Sequence, residues 1–284
     1  RIILSTMDKE CGIIKSVKNE MNCLYLRGDH SMEIGVCSDV GKVRDINEDA
    51  YSIPDDSLNL FMVADGMGGH NAGEVASSRA INSIRDFMKK HVRKDIPQSE
   101  EELCQLLKSA IHKANQDIFL ESLRDAKFQG MGTTITAILI LSKLYIAHIG
   151  DSRAYLIHND RISQVTQDHS LVGELLRNGT ITENEAKVHP QRNIITRALG
   201  TEENINIDIY EIDFKQDDVI VLCTDGLSNF VDPEEIKDVL LHCNNVQEGC
   251  QSLVDLANER GGHDNITVLA VKNKSLKIGI GGRR

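Results

Sequence analysis

The sequence predicts an α+β domain of largely antiparallel β-sheets with helices on their outer faces. Strand-like and helix-like runs are mixed without strict alternation. Successive strand-like runs are joined by links too short for parallel crossovers. The long helix-like runs each carry one apolar stripe, the mark of a helix that covers a sheet. A chain of 284 residues, 40% hydrophobic and 26% charged, is long enough to bury a substantial core.

Residues 33–38 predict a strand and residues 60–64 (LFMVA) a buried one. A helix is expected from about residue 73 to 91, with Val75, Ala76, Ala80, Ile84, Phe87 and Met88 on one face. Ser99 and Glu102 have capping-box spacing and open a second helix, striped by Leu103, Leu107, Ala110, Ile111, Ala114 and Ile118. A β block follows at 133–141, 144–149 and 153–158, and Asn159-Asp160 reads as a hairpin turn into 161–165. Residues 168–192 are polar, with short helical patterns at 171–177 and 183–186, and read as an excursion from the core. Strands return at 205–212 and 218–223. Asp232-Pro233-Glu234-Glu235 starts a helix, with Asp as N-cap and Pro at the first helical position. A last helix at 247–259 and a strand at 266–271 complete a single domain over 32–273. Residues 1–31 show no clear period and read as a poorly ordered leader or non-native extension, and 274–284 as a tail.

The net charge of −11 repels phosphate backbones and anionic lipid, and an aromatic share of 4% without Trp offers few stacking platforms for bases. Nucleic acid and membrane are therefore not expected partners. No stretch is apolar for long enough to span a bilayer. Seven Cys without a C-x-x-C fit a reduced, cytoplasmic setting better than a zinc site.

The chemistry sits where apolar runs stop. FMVAD ends at Asp65, YIAHIGD at Asp151 and VIVLCTD at Asp225, while Asp264 opens a strand in GGHDNITVLAV. In an antiparallel sheet, strand ends and strand starts meet at one edge, so these carboxylates can converge. Such a cluster repels itself unless cations sit among the oxygens or some groups are protonated. Mg²⁺ and Mn²⁺ take this kind of oxygen. Taken singly, Asp65-Gly66 and Asp225-Gly226 read as turns; the repetition after buried strands points to a site. The glycine-rich run at 66–70 lacks the residues of a P-loop or of a Rossmann fingerprint. His70, His148, His169 and His263 are scattered, and each alone reads as structural or solvated.

Eight ordered motifs carry a resemblance. They are SDVGKVRDINEDA (38–50), VADGMGGHNAGEVAS (63–77), GMGTTITA (130–137), AHIGDSRAYL (147–156), TQDHS (166–170), NIITRALG (193–200), CTDGLSN (223–229) and GGHDNITVLAV (261–271). The chain resembles the metal-dependent protein phosphatases of the type 2C (PPM) family in its bacterial form, over about 33–272. The resemblance implies two packed antiparallel β-sheets flanked by helices, an α-β-β-α sandwich, with the excursion at 168–192 as a flap. It implies hydrolysis of phosphoserine and phosphothreonine in proteins by a metal-activated water, opposing serine/threonine kinases, with no covalent phospho-enzyme.

Carried over by motif position, Asp65 would bridge two Mn²⁺ or Mg²⁺ ions and Gly66 would offer its carbonyl to one. Asp225 and Asp264 would bind the other, Glu48 and Asp49 would hold metal-bound waters, and Arg44 would clamp the substrate phosphate. Asp151 with Asp225 would hold a third, weaker ion. The expected partners are phosphorylated proteins, among them a serine/threonine kinase, and the expected state is a monomer. Met67 stands where animal members have the His proposed as general acid, so leaving-group protonation has no assigned donor.

Overall fold

The structure, a computed structural model, describes residues 31–54, 58–68, 72–94 and 99–274. The chain begins with strands β1 (Ser31–Asp39), β2 (Asp49–Ser52) and β3 (Leu60–Met67), then helices α1 (Ala72–Lys94) and α2 (Glu100–Arg124). A 3-10 turn at Ala126–Phe128 leads into β4 (Gly132–Thr133), β5 (Ile135–Ile140), β6 (Leu144–Ile149), β7 (Arg153–His158) and β8 (Arg161–Gln164). The excursion carries α3 (Leu171–Arg177) and α4 (Glu183–Lys187). After it come β9 (Asp208–Ile212), β10 (Val219–Cys223), α5 (Asp225–Ser228), α6 (Pro233–His242), α7 (Val246–Glu259) and β11 (Ile266–Lys274).

The strands form two sheets, one ordered β1-β11-β10-β7-β8 and one β2-β3-β5-β6-β9 with β4 beside β3. Their pairings are antiparallel, as the short links require. Period-two alternation sorts each strand's side chains between layers. On β3, Phe61 and Val63 pack inward with Ile220, Leu222, Leu269 and Val271 of the other sheet. Leu60, Met62 and Ala64 face outward against Ala76 and Ile84 of α1 and Ile111 of α2. On β10, Val219, Val221 and Cys223 face outward against Ile236 of α6 and Leu253 of α7. Each such buried aliphatic side chain stabilises the fold by about 1.5–3 kcal/mol. The result is the α-β-β-α sandwich.

Local signals set the ends of several elements. Ser99 accepts the Glu102 N–H at 3.2 Å at the start of α2. Asn159 and Asp160 have φ of 48° and 59°, the left-handed pair of a tight hairpin. At α6, the Asp232 N–H donates to Glu235 at 3.1 Å.

The structure also departs from the expectations. The strand expected over 133–141 is broken at Thr134 into β4 and β5. There the Thr134 hydroxyl, not its carbonyl, accepts the Asp65 N–H at 2.9 Å, while the Thr134 N–H donates to the Asp65 carbonyl at 2.9 Å. β2 is too short and polar to show a period, and it forms because β3 offers it a partner edge. β9 starts at Asp208 rather than at residue 205. Residues 1–30 and 275–284, nearly all of the expected leader and tail, lie outside the described residues, while residue 31 already opens β1.

Candidate metal centre

One edge of the sandwich gathers every carboxylate singled out in the sequence. Asp65 lies inside β3 rather than in a turn, directly opposite Asp49 of β2. β3 continues through Gly66 and Met67 because β4 pairs with it there. Asp225 opens the short helix α5 immediately after β10, again not a simple turn. Asp264 precedes β11, and Asp151 lies in the turn between β6 and β7. Burial raises the Asp65 carboxyl well above the usual range, and Asp49, Asp225, Asp151 and Asp264 push it further in the same direction.

The other carboxyls respond alike. Asp49 is pushed up to about 7 by burial, with Asp225 and Asp264 adding to it against the Thr267 and Thr224 hydroxyls. Those hydroxyls donate to Asp49 Oδ2 at 2.7 and 2.8 Å. Burial followed by Asp264 raises Asp225 to about 6. Burial followed by Asp225 raises Asp151 to about 8. Arg153, two residues beyond Asp151, forks onto Asp168 at 3.0 and 2.7 Å.

The cationic and backbone parts also reach this edge. The Arg44 guanidinium donates to Asp264 Oδ2 at 2.9 Å and feels Glu48 and Asp65 as well. The Glu48 carboxyl lies against Gly73 at the start of α1, where a helix favours negative charge. The Glu48 carbonyl accepts the Gly66 N–H at 3.1 Å. Only glycine fits at 66, because a Cβ there would stand 2.2 Å from the Gly73 carbonyl oxygen and 2.5 Å from that of Glu48. Gly69 and His70 of the glycine-rich run lie outside the described residues.

The donor set fits divalent cations. Asp49 Oδ1 and Asp151 Oδ1 are buried without a hydrogen-bond partner, at an edge already rich in negative charge. Buried carboxylate oxygens left bare are costly unless a cation or proton meets them. Among the described residues, no three acidic, His or Cys side chains are drawn close enough to enclose an ion by themselves. Mg²⁺-like ions suit that spacing, since they keep several waters and take one or two carboxylates each.

Residues that sequence reasoning passed over build the frame. The Asn265 side chain accepts the Glu48 N–H at 2.8 Å and donates to the carbonyls of Val40 and Ile46 at 3.0 and 2.9 Å, fastening the loop that carries Arg44. Thr134 ties Asp65 to Ser152 through hydroxyl oxygens 2.8 Å apart. His148 and His169 come together with ring centroids 4.9 Å apart and planes tilted by 35°, and His169 bonds to Gly150. The signal for these residues lay in their places within the quoted motifs.

The model of the Protein phosphatase 2C family matches residues 42–258. The chain belongs to the protein phosphatase 2C family. Among curated relatives, it is 39% identical over 245 residues to the serine/threonine phosphatase stp of Listeria welshimeri, covering 85% of this chain and 96% of that one. The Mycobacterium tuberculosis serine/threonine phosphatase PstP/Ppp superposes with a TM-score of 0.77 at 36% identity, covering 86% of this chain and 99% of that one. The catalytic domain of PstP in complex with two manganese ions gives a TM-score of 0.73 at 35% identity, covering 86% of this chain and 99% of that one. The two-sheet architecture is thus the one this family shares.

Proposed function

We propose that this phosphatase hydrolyses phosphoserine and phosphothreonine in proteins at a centre of two Mn²⁺ or Mg²⁺ ions, without a covalent phospho-enzyme. Its phosphoprotein substrates would include a serine/threonine kinase whose action it opposes, and it would work as a cytoplasmic monomer. Membership of a family of metal-dependent serine/threonine phosphatases makes it an enzyme of that class. Among the described residues, no helix is long and apolar enough to cross a membrane.

The observation that carries this reading is the buried carboxylate edge with two bare oxygens beside a guanidinium. In this reading Asp65, the Gly66 carbonyl, Asp225 and Asp264 would hold the two ions. Glu48 and Asp49 would orient waters, and Asp151 with Asp225 would hold a third, weaker ion. When bound, such ions would lower the pKa of a water and offset charge on the phosphoryl group.

The chain's own residues do the rest. Arg44 presents a planar fork to two phosphate oxygens and offsets their charge as the phosphoryl group transfers. Its bond to Asp264 holds it at the centre's rim until substrate arrives. Met67 has no proton to give, so the leaving serine or threonine oxygen would take its proton from a water held at the metal centre. The buried frame of Thr134, Thr224 and Thr267 keeps Asp65 and Asp49 from turning toward water.

A phosphothreonine peptide tests the reading. Phosphate release with Mn²⁺ and its loss in excess EDTA are expected, and full turnover in EDTA rules the metal mechanism out. Acid-quenched enzyme that retains labelled phosphate rules out direct attack by water.

A further inference from the structure

The turn that carries Asp151 is held by one residue from the base of the excursion, through its ring and its backbone. The Gly150 N–H donates to His169 Nδ1 at 3.1 Å, and the His169 N–H donates back to the Gly150 carbonyl at 2.7 Å. The imidazole thus holds the peptide before Gly150, and the His169 backbone holds the one after it, which leads directly into Asp151. Gly150 has φ of +115°, and a Cβ there would stand 2.5 Å from the Thr134 side chain, so this turn has no room to relax.

His169 is itself held in one orientation. It is 2% exposed. A backbone N–H can only donate, so Nδ1 accepts and the ring proton is on Nε2. Nε2 meets Asp208 Oδ2 at 3.0 Å, and Arg197 stands 3.3 Å from both Nε2 and Asp208 Oδ1. The Thr196 N–H donates to the His169 carbonyl at 2.8 Å. On the neighbouring side, His148 Nε2 reaches the Gln167 carbonyl at 3.1 Å and its Nδ1 meets the Thr136 hydroxyl at 2.9 Å.

At the other end of this chain of contacts, Asp151 has a buried oxygen with no partner. The Asp151 carboxyl is bonded to its own backbone N–H, so its direction follows the backbone that carries it. We propose that His169, fixed by Asp208, is a positioning residue that aims the Asp151 carboxylate into the metal edge, an assignment that rests on the phosphatase reading above. Groups that orient a ligand without touching the ion commonly cost about 10- to 100-fold in metal affinity or activity when lost.

The test compares full-length His169→Gln, His169→Asn and Asp208→Asn with the parent, each alone and combined with Asp151→Asn. Three quantities are read: Mn²⁺ binding from loss of the free-ion electron paramagnetic resonance signal, kcat and KM on a phosphothreonine peptide, and melting in chelator. His169→Gln moves its polar atoms away from the Nδ1 position. It is expected to lower kcat and the affinity of the weakest Mn²⁺ by about 10- to 100-fold with KM little changed. His169→Asn keeps an oxygen near Nδ1 and is expected to recover most of that loss. In the Asp151→Asn background the His169 changes should add nothing, since both act through one carboxylate.

Unchanged Mn²⁺ binding and kcat in folded His169→Gln, or losses that add in full to those of Asp151→Asn, overturn the assignment. If His169→Gln does not fold, Asp208→Asn, at a partly exposed position, is judged by the same criteria. A parent that binds no Mn²⁺ and releases no phosphate removes the phosphatase reading and this assignment with it. A parent that does both, with variants that match it, removes the assignment alone.

Discussion

Asp225 and Asp264 differ in how the protein holds them, and that difference shapes what their loss should do. Asp225 accepts a bond from the Asn229 side chain at 3.1 Å, whereas Asp264 is engaged by Arg44 at the rim. Asn in either place keeps the shape and removes the charge. Asp225→Asn and Asp264→Asn should weaken Mn²⁺ binding and turnover together, by at least the 10- to 100-fold typical of groups one layer farther out. Near-parent rates at low Mn²⁺ for either variant would refute its role as a ligand. Arg44→Ala should behave oppositely. It removes a phosphate donor, so kcat/KM should fall by roughly 10²-fold or more. It also frees Asp264 from an exposed ion pair, whose side chains are 49% and 34% accessible. Such pairs are worth about 0–1 kcal/mol, so Mn²⁺ should bind as tightly as in the parent or up to about fivefold more tightly. Calorimetric Mn²⁺ titration of Arg44→Ala decides this, and a large loss of binding would count against the phosphate-clamp role.

The loop between β1 and β2 carries Arg44 and Glu48 yet has no regular structure, and one buried side chain from before β11 replaces the missing backbone bonds. Asn265 is 5% exposed and bonds three backbone groups of that loop. Asn265→Ala leaves them without their partner and should destabilise the fold by about 1–3 kcal/mol. Because the same bonds set the place of Arg44, KM for a phosphopeptide should rise as well. Urea denaturation and steady-state kinetics read the two effects, and a variant of parental stability would show the loop is held by other contacts. The β4–β5 break has a comparable origin. A continuous run of β-branched residues reads as one strand, and nothing in that pattern says that Thr134 would turn its hydroxyl into the ladder to hold Asp65. Likewise the polar run DAYS of β2 has no period of its own and takes its conformation from β3.

Across the sandwich, burial of several carboxylates at one edge couples stability to pH when no cation is present. Asp49 is raised to about 7 and Asp151 to about 8, from an unfolded value of 3.8, chiefly by burial. Between those limits the folded state keeps protons that the unfolded chain has already released. Stability therefore falls as pH rises through this window, the sign expected for raised carboxyl groups. In chelator, the urea midpoint should be lower at pH 8 than at pH 5. Saturating Mn²⁺ should flatten the trend, because the ion takes the place of the protons and stabilises the form that binds it. A metal-free midpoint that rises between pH 5 and pH 8 would show that these groups ionise without cost.

Hydrophobic periodicity, capping residues and turn residues are local properties, and they were enough to read most of the strands and helices and their antiparallel pairing from the chain. The buried runs at 60–64 and 219–223 and the caps at Ser99 and Asp232 kept their assigned places. Asp65, Asp151, Asp225 and Asp264 were legible because each interrupts or flanks an apolar run, a contrast that survives in one dimension. What surrounds them was not. Asn265 bonds to residues some 220 positions away, Thr134 to residue 65, and His169 to Gly150 and Asp208. Polar side chains at such separations carry no periodic signal, since their partners are set by how two sheets stack and not by spacing along the chain. Packing alone determined which hydroxyl, amide and imidazole stands beside each carboxylate, and so which of those carboxylates is held still.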